Sequence, residues 1–310
     1  MTKPADLAPD LAPDLAPDLP ADLPQNWPHR AASRRVIAAH QTWHVQDMGP
    51  KSAAAPTVLL IHGAGGSLHS WADLAPLLAQ QYRVIALDVA GHGFSQKGRM
   101  ARAGLEDIAA DIAALAADQG WRVRAVIGHS AGAAIALRLA ELLPLRAVVG
   151  LNAALSQFEG MAGWLFPAMA KTLSLLPFAP HFGAKMLGTP AQIDRLLTQT
   201  GAQIGAAGRD QYLTLARRPA HIGATLDMMA AWDLRPLLAR LSHITVPVLL
   251  LTGARDGAVP PRVSTQAARA LPHATAQIIQ GYGHLLPEEA ARVIAPIIIN
   301  FLARSLADAA

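Results

Sequence analysis

The 310-residue chain has no cysteine. That excludes disulfides, thiolate zinc sites, cysteine-ligated iron–sulfur clusters and a cysteine nucleophile, and it fits a reducing compartment. Charge is sparse at 15% of residues, and aromatics make up 5%. With 52% apolar residues, so little charge excludes a largely disordered protein. Long apolar runs are lacking too. A membrane-spanning helix needs roughly 20 mostly apolar residues in a row. The best candidate, Ala131–Leu155, is interrupted by Arg138, Glu141 and Arg146. Val293–Leu302 is short and contains Pro296. The N-terminus has no charged start followed by an apolar run, so no secretory signal is expected. We read a soluble, cytoplasmic chain, with peripheral contact to a membrane surface left open. No basic run exceeds a pair (Arg34–Arg35, Arg217–Arg218) and no nucleic-acid motif is present, so nucleic acid is not an expected partner.

What is present begins with a repeat. The unit Asp-Leu-Ala-Pro starts at Asp6, Asp10 and Asp14, then decays through Asp18-Leu-Pro and Asp22-Leu-Pro. Proline at this spacing blocks helix and sheet, so residues 1–25 are expected to be a disordered acidic tail. The tail carries −4, which leaves +8 on the body although the whole chain is only +4. A basic body favours anionic ligands or an anionic lipid surface.

From Arg34 onward the pattern is ordered. Arg35–Ala39 and Thr42–Gln46 read as a hairpin. Strands at Thr57–Ile61, Arg83–Leu87, Arg124–Ile127 and Ala147–Leu151 then alternate with helices at Trp71–Gln80, Leu105–Asp118 and Ala131–Leu143. Apolar runs of that length between helical patterns indicate a doubly wound α/β fold with a mostly parallel sheet, covered on both faces. The alternation stops over residues 156–232, which are rich in Leu, Ala, Met and aromatics and read as a helical insertion, or cap. It resumes with strands Val246–Thr252 and Thr275–Ile279 and helices Pro261–Leu271 and Pro287–Leu302, the last expected to kink at Pro296. Residues 26–155 and 233–310 are therefore the core domain.

Two glycine-rich motifs follow strands. Gly128-His129-Ser130-Ala131-Gly132 lies between Arg124–Ile127 and Ala131–Leu143, the strand–turn–helix setting of a nucleophile elbow, and makes Ser130 the candidate nucleophile. His62-Gly63-Ala64-Gly65-Gly66-Ser67 follows Thr57–Ile61. The N–H groups of Ala64 and Ala131 can converge on one oxygen as an oxyanion hole, in which each donor is worth about 3–4 kcal/mol. A phosphate loop is excluded, because neither G-x-x-x-x-G-K-[ST] nor G-x-G-x-x-G with a downstream acid is present. Serine needs a base. Of twelve histidines, position selects His284, just after the last strand, and Asp256 after Val246–Thr252 is the acid to orient it. The order Ser130, Asp256, His284 is that of the nucleophile-elbow hydrolases. His62 and His92 are expected to brace loops, and Asp88–Ser95 to support the rim. His129 is the variable elbow position. His181, His221 and His243 lack metal-ligand spacing, so neither a metal nor another cofactor is expected.

These pieces together resemble the α/β-hydrolase superfamily over roughly residues 34–304. The resemblance implies an eight-stranded sheet with the cap after the sixth strand, with Ser130 as nucleophile, His284 as base and Asp256 as orienting acid. Three further segments carry a narrower likeness: Asn26–Arg34, Thr42–Gln46, and Pro219-Ala220-His221 through Met228-Met229-Ala230-Ala231-Trp232-Asp233-Leu234. They resemble the magnesium-chelatase accessory family of bacteriochlorophyll biosynthesis. That implies a role near magnesium insertion, chelatase subunits as partners, and a hydrophobic small molecule, a tetrapyrrole among the options, as ligand. Trp164, Phe166, Met228, Met229 and Trp232 are the expected pocket lining. The complete triad and oxyanion hole favour an enzyme, a serine hydrolase of an ester or amide; the alternative is a non-catalytic tetrapyrrole-binding or chaperone module on the same fold, with the triad vestigial.

Overall fold

The computed structural model describes residues 18–52, 55–98, 102–156, 176 and 178–307. Eight strands form one sheet: β1 Ser33–Ala38, β2 Gln41–Met48, β3 Thr57–Ile61, β4 Arg83–Leu87, β5 Val123–His129, β6 Ala147–Leu151, β7 Val248–Gly253 and β8 Ala274–Ile279. Their spatial order is β1-β2-β4-β3-β5-β6-β7-β8. The first two ladders are antiparallel and all others parallel. The sheet is thus the expected eight-stranded, mostly parallel one. From β3 the chain steps to β4 on one side and later to β5 on the other. That makes the carboxyl ends of β3 and β5 the topological switch point, where open α/β sheets hold their ligands.

Strands β3 to β7 are buried on both faces, whereas the edge strands β1 and β8 are partly exposed. Along β3, Leu59 and Ile61 join one core with helices α2 (Leu105–Asp118) and α3 (Ala131–Leu139). Val58 and Leu60 join the other, with α1 (Leu74–Leu78) and the C-terminal helix. Where two faces are buried, strand residues cannot alternate apolar and polar, which is why Val58–Ile61 is an unbroken apolar run after the buried Thr57.

Among the described residues, four helices of the cap lie between β6 and β7: α4 Ala179–Leu187, α5 Pro190–Gln199, α6 Ala206–Ala216 and α7 Pro219–Ala231. A short α8 (Arg235–Ala239) leads into β7. Then come α9 Arg262–Ala270, α10 Leu286–Glu289 and α11 Ala291–Ala307.

Four expectations need correction. The helix expected over Trp71–Gln80 is a 3₁₀ turn at Leu68–Trp71 followed by the single turn α1. Pro76 in that turn has no N–H to bond backwards, so the helix starts only just before it. Helix α3 stops at Leu139, four residues early, and the chain goes on in tighter turns, with Glu141 N–H bonded to Arg138 O and Leu142 N–H to Leu139 O, until Pro144 disfavours helical backbone at Leu143. The last helical stretch is interrupted at Ala290, and α11 continues through Pro296. Finally, the acidic repeat is not free through Gln25. Asp18 pairs with Arg35 at 2.8 Å and Asp22 with Arg218 at 2.6 Å, and Leu23 is buried beside Trp27. Its earlier units lie outside the described residues.

Candidate active site

Strand β5 delivers Ser130 at φ 54°, ψ −117°, a conformation that non-glycine residues rarely adopt. The turn survives because its flanks are small. A Cβ on Gly132 would lie 2.6 Å from the His62 carbonyl oxygen, and one on Gly63 2.9 Å from Ser130 Cβ. The turn after β3 is therefore pressed directly against the elbow. Ser130 sits at the N-terminus of α3, whose unpaired N–H groups and dipole favour negative charge there. Ala131 is the first residue of α3, and Ala64 is exposed at the tip of the neighbouring turn.

Asp256 and His284 come from the loops after β7 and β8. His284 Nδ1 lies 2.9 and 3.0 Å from the two Asp256 carboxylate oxygens. The carboxylate also accepts Ala258 N–H at 2.9 Å, Val259 N–H at 2.8 Å and Asn152 Nδ2–H at 2.7 Å. Burial pushes the Asp256 carboxyl up, but His284 and these donors outweigh it and hold the group below its ordinary range. Ionised Asp256 therefore fixes the proton of His284 on Nδ1 and leaves Nε2 free to take one.

His284 and Ser130 are linked through His129. Its Nε2 lies 2.7 Å from the His284 carbonyl oxygen, and the two rings are 5.0 Å apart. Among the described residues, Ser130 Oγ and His284 Nε2 are not hydrogen-bonded to each other. In unliganded enzymes such bonds are commonly long and tighten with substrate.

The bracing role expected of the other histidines holds for His62. Its Nδ1 lies 2.7 Å from Gly63 O, and its Nε2 accepts Val89 N–H at 2.9 Å. Asp88 ties the rim together, accepting from Ser67 Oγ at 2.6 Å, Leu68 N–H at 2.7 Å and Phe94 N–H at 2.9 Å, and pairing with His44 at 2.7 Å. No group of three metal-ligating side chains is found among the described residues. No helix of the described residues is long and apolar enough to cross a membrane.

The expected pocket lining is placed unevenly. Trp164 and Phe166 lie outside the described residues. Met228 is buried in the core shared with α2 and α3, and the partly buried Trp232 packs against the same core. Met229 is half-buried on α7.

Sequence reasoning missed two contributors. Asn152, directly after β6, takes φ 48° and bridges Asp256 to the Gly283 carbonyl oxygen at 3.2 Å. Its signal was an asparagine at a strand's carboxyl end, a residue that tolerates left-handed backbone. Thr200, after α5, uses its carbonyl oxygen to accept His284 N–H at 3.2 Å and Gly257 N–H at 3.1 Å. A backbone acceptor leaves no trace in side-chain identity.

Comparison with known proteins adds an independent line. The sequence profile of the alpha/beta hydrolase fold matches residues 56–291. The chain is 44% identical, over 89% of its length and 96% of the relative's, to the Magnesium-chelatase 30 kDa subunit of Rhodobacter capsulatus. It is 30% identical to a Pimeloyl-[acyl-carrier protein] methyl ester esterase of Xanthomonas oryzae pv. oryzae, over 74% of this chain and 88% of that one. Among solved structures, the epoxide hydrolase CorEH superposes with a TM-score of 0.72 at 20% identity, over 88% of this chain and 98% of that one, a likeness of fold.

Proposed function

The chain belongs to the alpha/beta hydrolase fold family, and from that premise we propose that it is a serine hydrolase acting on an ester or amide. Ser130 Oγ attacks the carbonyl carbon while His284 Nε2 takes its proton. The oxyanion is held by the N–H groups of Ala64 and Ala131 at the positive end of α3. The leaving group departs with the proton from His284. Water, deprotonated by His284, then releases the acid and regenerates Ser130. Ionised Asp256 stabilises the imidazolium at each step. The observation that carries this reading is the buried Asp256–His284 pair beside a serine held at φ 54°.

The substrate is a hydrophobic small molecule, and the role is accessory to magnesium insertion in tetrapyrrole synthesis, with chelatase subunits as partners. The 44% relative named as a chelatase subunit supports that role. It also supports a second reading, a tetrapyrrole-binding module on the same fold.

A fluorophosphonate probe decides between them. Labelling of the wild type, lost in Ser130→Ala, is the expected result. No labelling, together with protoporphyrin binding that survives Ser130→Ala, would establish the binding module. Deletion in a phototrophic host is expected to accumulate protoporphyrin, and an unchanged pigment profile would sink the chelation role.

A further inference from the structure

The turn that presents Ala64 is held from two sides. Gly66 N–H donates to Gly63 O at 3.1 Å, and Gly65 takes φ +70°, the third position of a type II turn, where glycine is needed. Three glycines in four residues make this backbone intrinsically loose. Its front carbonyl, Gly63 O, is held by Gly66 N–H and by His62. Its rear carbonyl, Gly65 O, is met from the cap. His221 Nε2, on α7, lies 3.2 Å from it. His221 is buried at 3% exposure.

The other ring nitrogen settles the direction of that bond. His221 Nδ1 lies 3.0 Å from Gly93 N–H and must accept from it. Nδ1 is therefore bare, the proton is on Nε2, and Nε2–H donates to Gly65 O. One turn earlier, Arg218 Nε donates to Gly93 O at 3.2 Å. The first turn of α7 thus grips the Gly91–Gly93 loop and, through one imidazole, the Gly63–Gly66 turn. Thr225 Oγ1 donates to the His221 carbonyl at 2.9 Å and its methyl faces Gly65.

We infer that His221 is a positioning residue for the oxyanion turn, with its Nε2–H bond to Gly65 O setting where the Ala64 N–H stands relative to Ser130. The inference rests on the serine-hydrolase reading. An oxyanion donor counts only when fixed at about 2.7–3.1 Å from the developing charge. A displacement of about 1 Å costs on the order of 10²-fold in rate. The cap then does more than cover the site, because it supplies the second anchor of a turn that glycine leaves loose.

Two isosteric variants separate this role from plain loop packing. His221→Gln places a side-chain N–H₂ near the position of Nε2 and keeps the bond to Gly65 O. His221→Asn places an oxygen near Nδ1, keeps the bond from Gly93 N–H and loses the one to Gly65 O. The readout is the second-order rate of fluorophosphonate labelling at Ser130, with the melting temperature as the folding control. Expected are a loss of about 10- to 100-fold in His221→Ala and His221→Asn and recovery to within about 3-fold of wild type in His221→Gln. Should His221→Ala fail to fold, the Gln and Asn pair carries the comparison. Recovery by Asn rather than Gln, or an unchanged rate in a folded His221→Ala, overturns the inference while the hydrolase reading stands. A wild type that does not label overturns that reading and the inference with it.

Discussion

Asn152 meets two demands with one side chain. It must adopt φ 48° at the carboxyl end of β6, and it must donate to the Asp256 carboxylate at 2.7 Å. Asparagine tolerates left-handed backbone better than other residues with a side chain, and a hydrogen bond to a charged group is worth about 1.5–3 kcal/mol. Asn152→Gly keeps the backbone and removes the donor. Its ester turnover is expected to fall about tenfold or more, with KM little changed, because Asp256 acts on the transition state through His284. Unchanged turnover in a folded Asn152→Gly would remove Asn152 from the site. Asp256→Asn tests the neighbouring claim. It keeps the geometry but permits the wrong imidazole tautomer, so a loss near 10⁴-fold in kcat is expected. A loss below tenfold would mean that Asp256 does not orient His284.

The strand–turn–helix around Ser130 is a contact between backbones, and that makes it sensitive to one methyl. A Cβ on Gly132 would press on the Ile61 and His62 carbonyl oxygens, and neither can rotate away as a side chain would. Gly132→Ala must therefore push α3 off β3. It is expected to cost about 3 kcal/mol and to abolish Ser130 labelling in whatever fraction folds. A melting temperature within a degree of wild type would show that the elbow has slack. This element was legible in the sequence because its chemistry is written in residue types: small residues around one serine after a buried apolar strand. Strands β3, β4 and β6 and helix α2 were equally legible, since burial on two faces leaves an apolar run and burial on one leaves a helical stripe. The single turn α1 was not, because Leu74–Leu78 continues an apolar pattern that Pro76 cuts short. Nor were the bonds from Thr200 and His221 into the site, which depend on where the cap comes to rest.

At the scale of the whole molecule, the concentration of histidine around the site has a consequence for stability. Burial lowers the pKa of His69 and His129 to about 3 and of His221 to about 4, and it lowers His62 and His92 as well. Each folded value lies below the ordinary 6.5, so as pH falls the unfolded chain takes up protons first. The stability from keeping these rings neutral is full above about pH 6.5 and is lost as pH drops toward their folded values. Glu288 opposes this trend. Burial, with Glu289 and Asp73 nearby, raises its carboxyl to about 7 despite hydrogen bonds from Tyr212 and Ser70. Its contribution is full below the ordinary carboxylate range and is lost as pH rises through 7. One carboxyl against five histidines leaves the histidines dominant. Three protons taken up on unfolding amount to about 4 kcal/mol per pH unit, against a typical total of about 5–15 kcal/mol. The melting temperature is therefore expected to be near its plateau at about pH 7, to fall steeply below about pH 6, and to reach acid unfolding between about pH 5 and 4. Glu288→Gln, which keeps the Tyr212 bond, should raise the melting temperature at pH 8 and leave the acid limb in place. A melting temperature that stays flat from pH 7 to 4.5 would mean that these rings are hydrated in the folded protein, and a Glu288→Gln variant less stable at pH 8 would mean that Glu288 is held ionised at the cap seam.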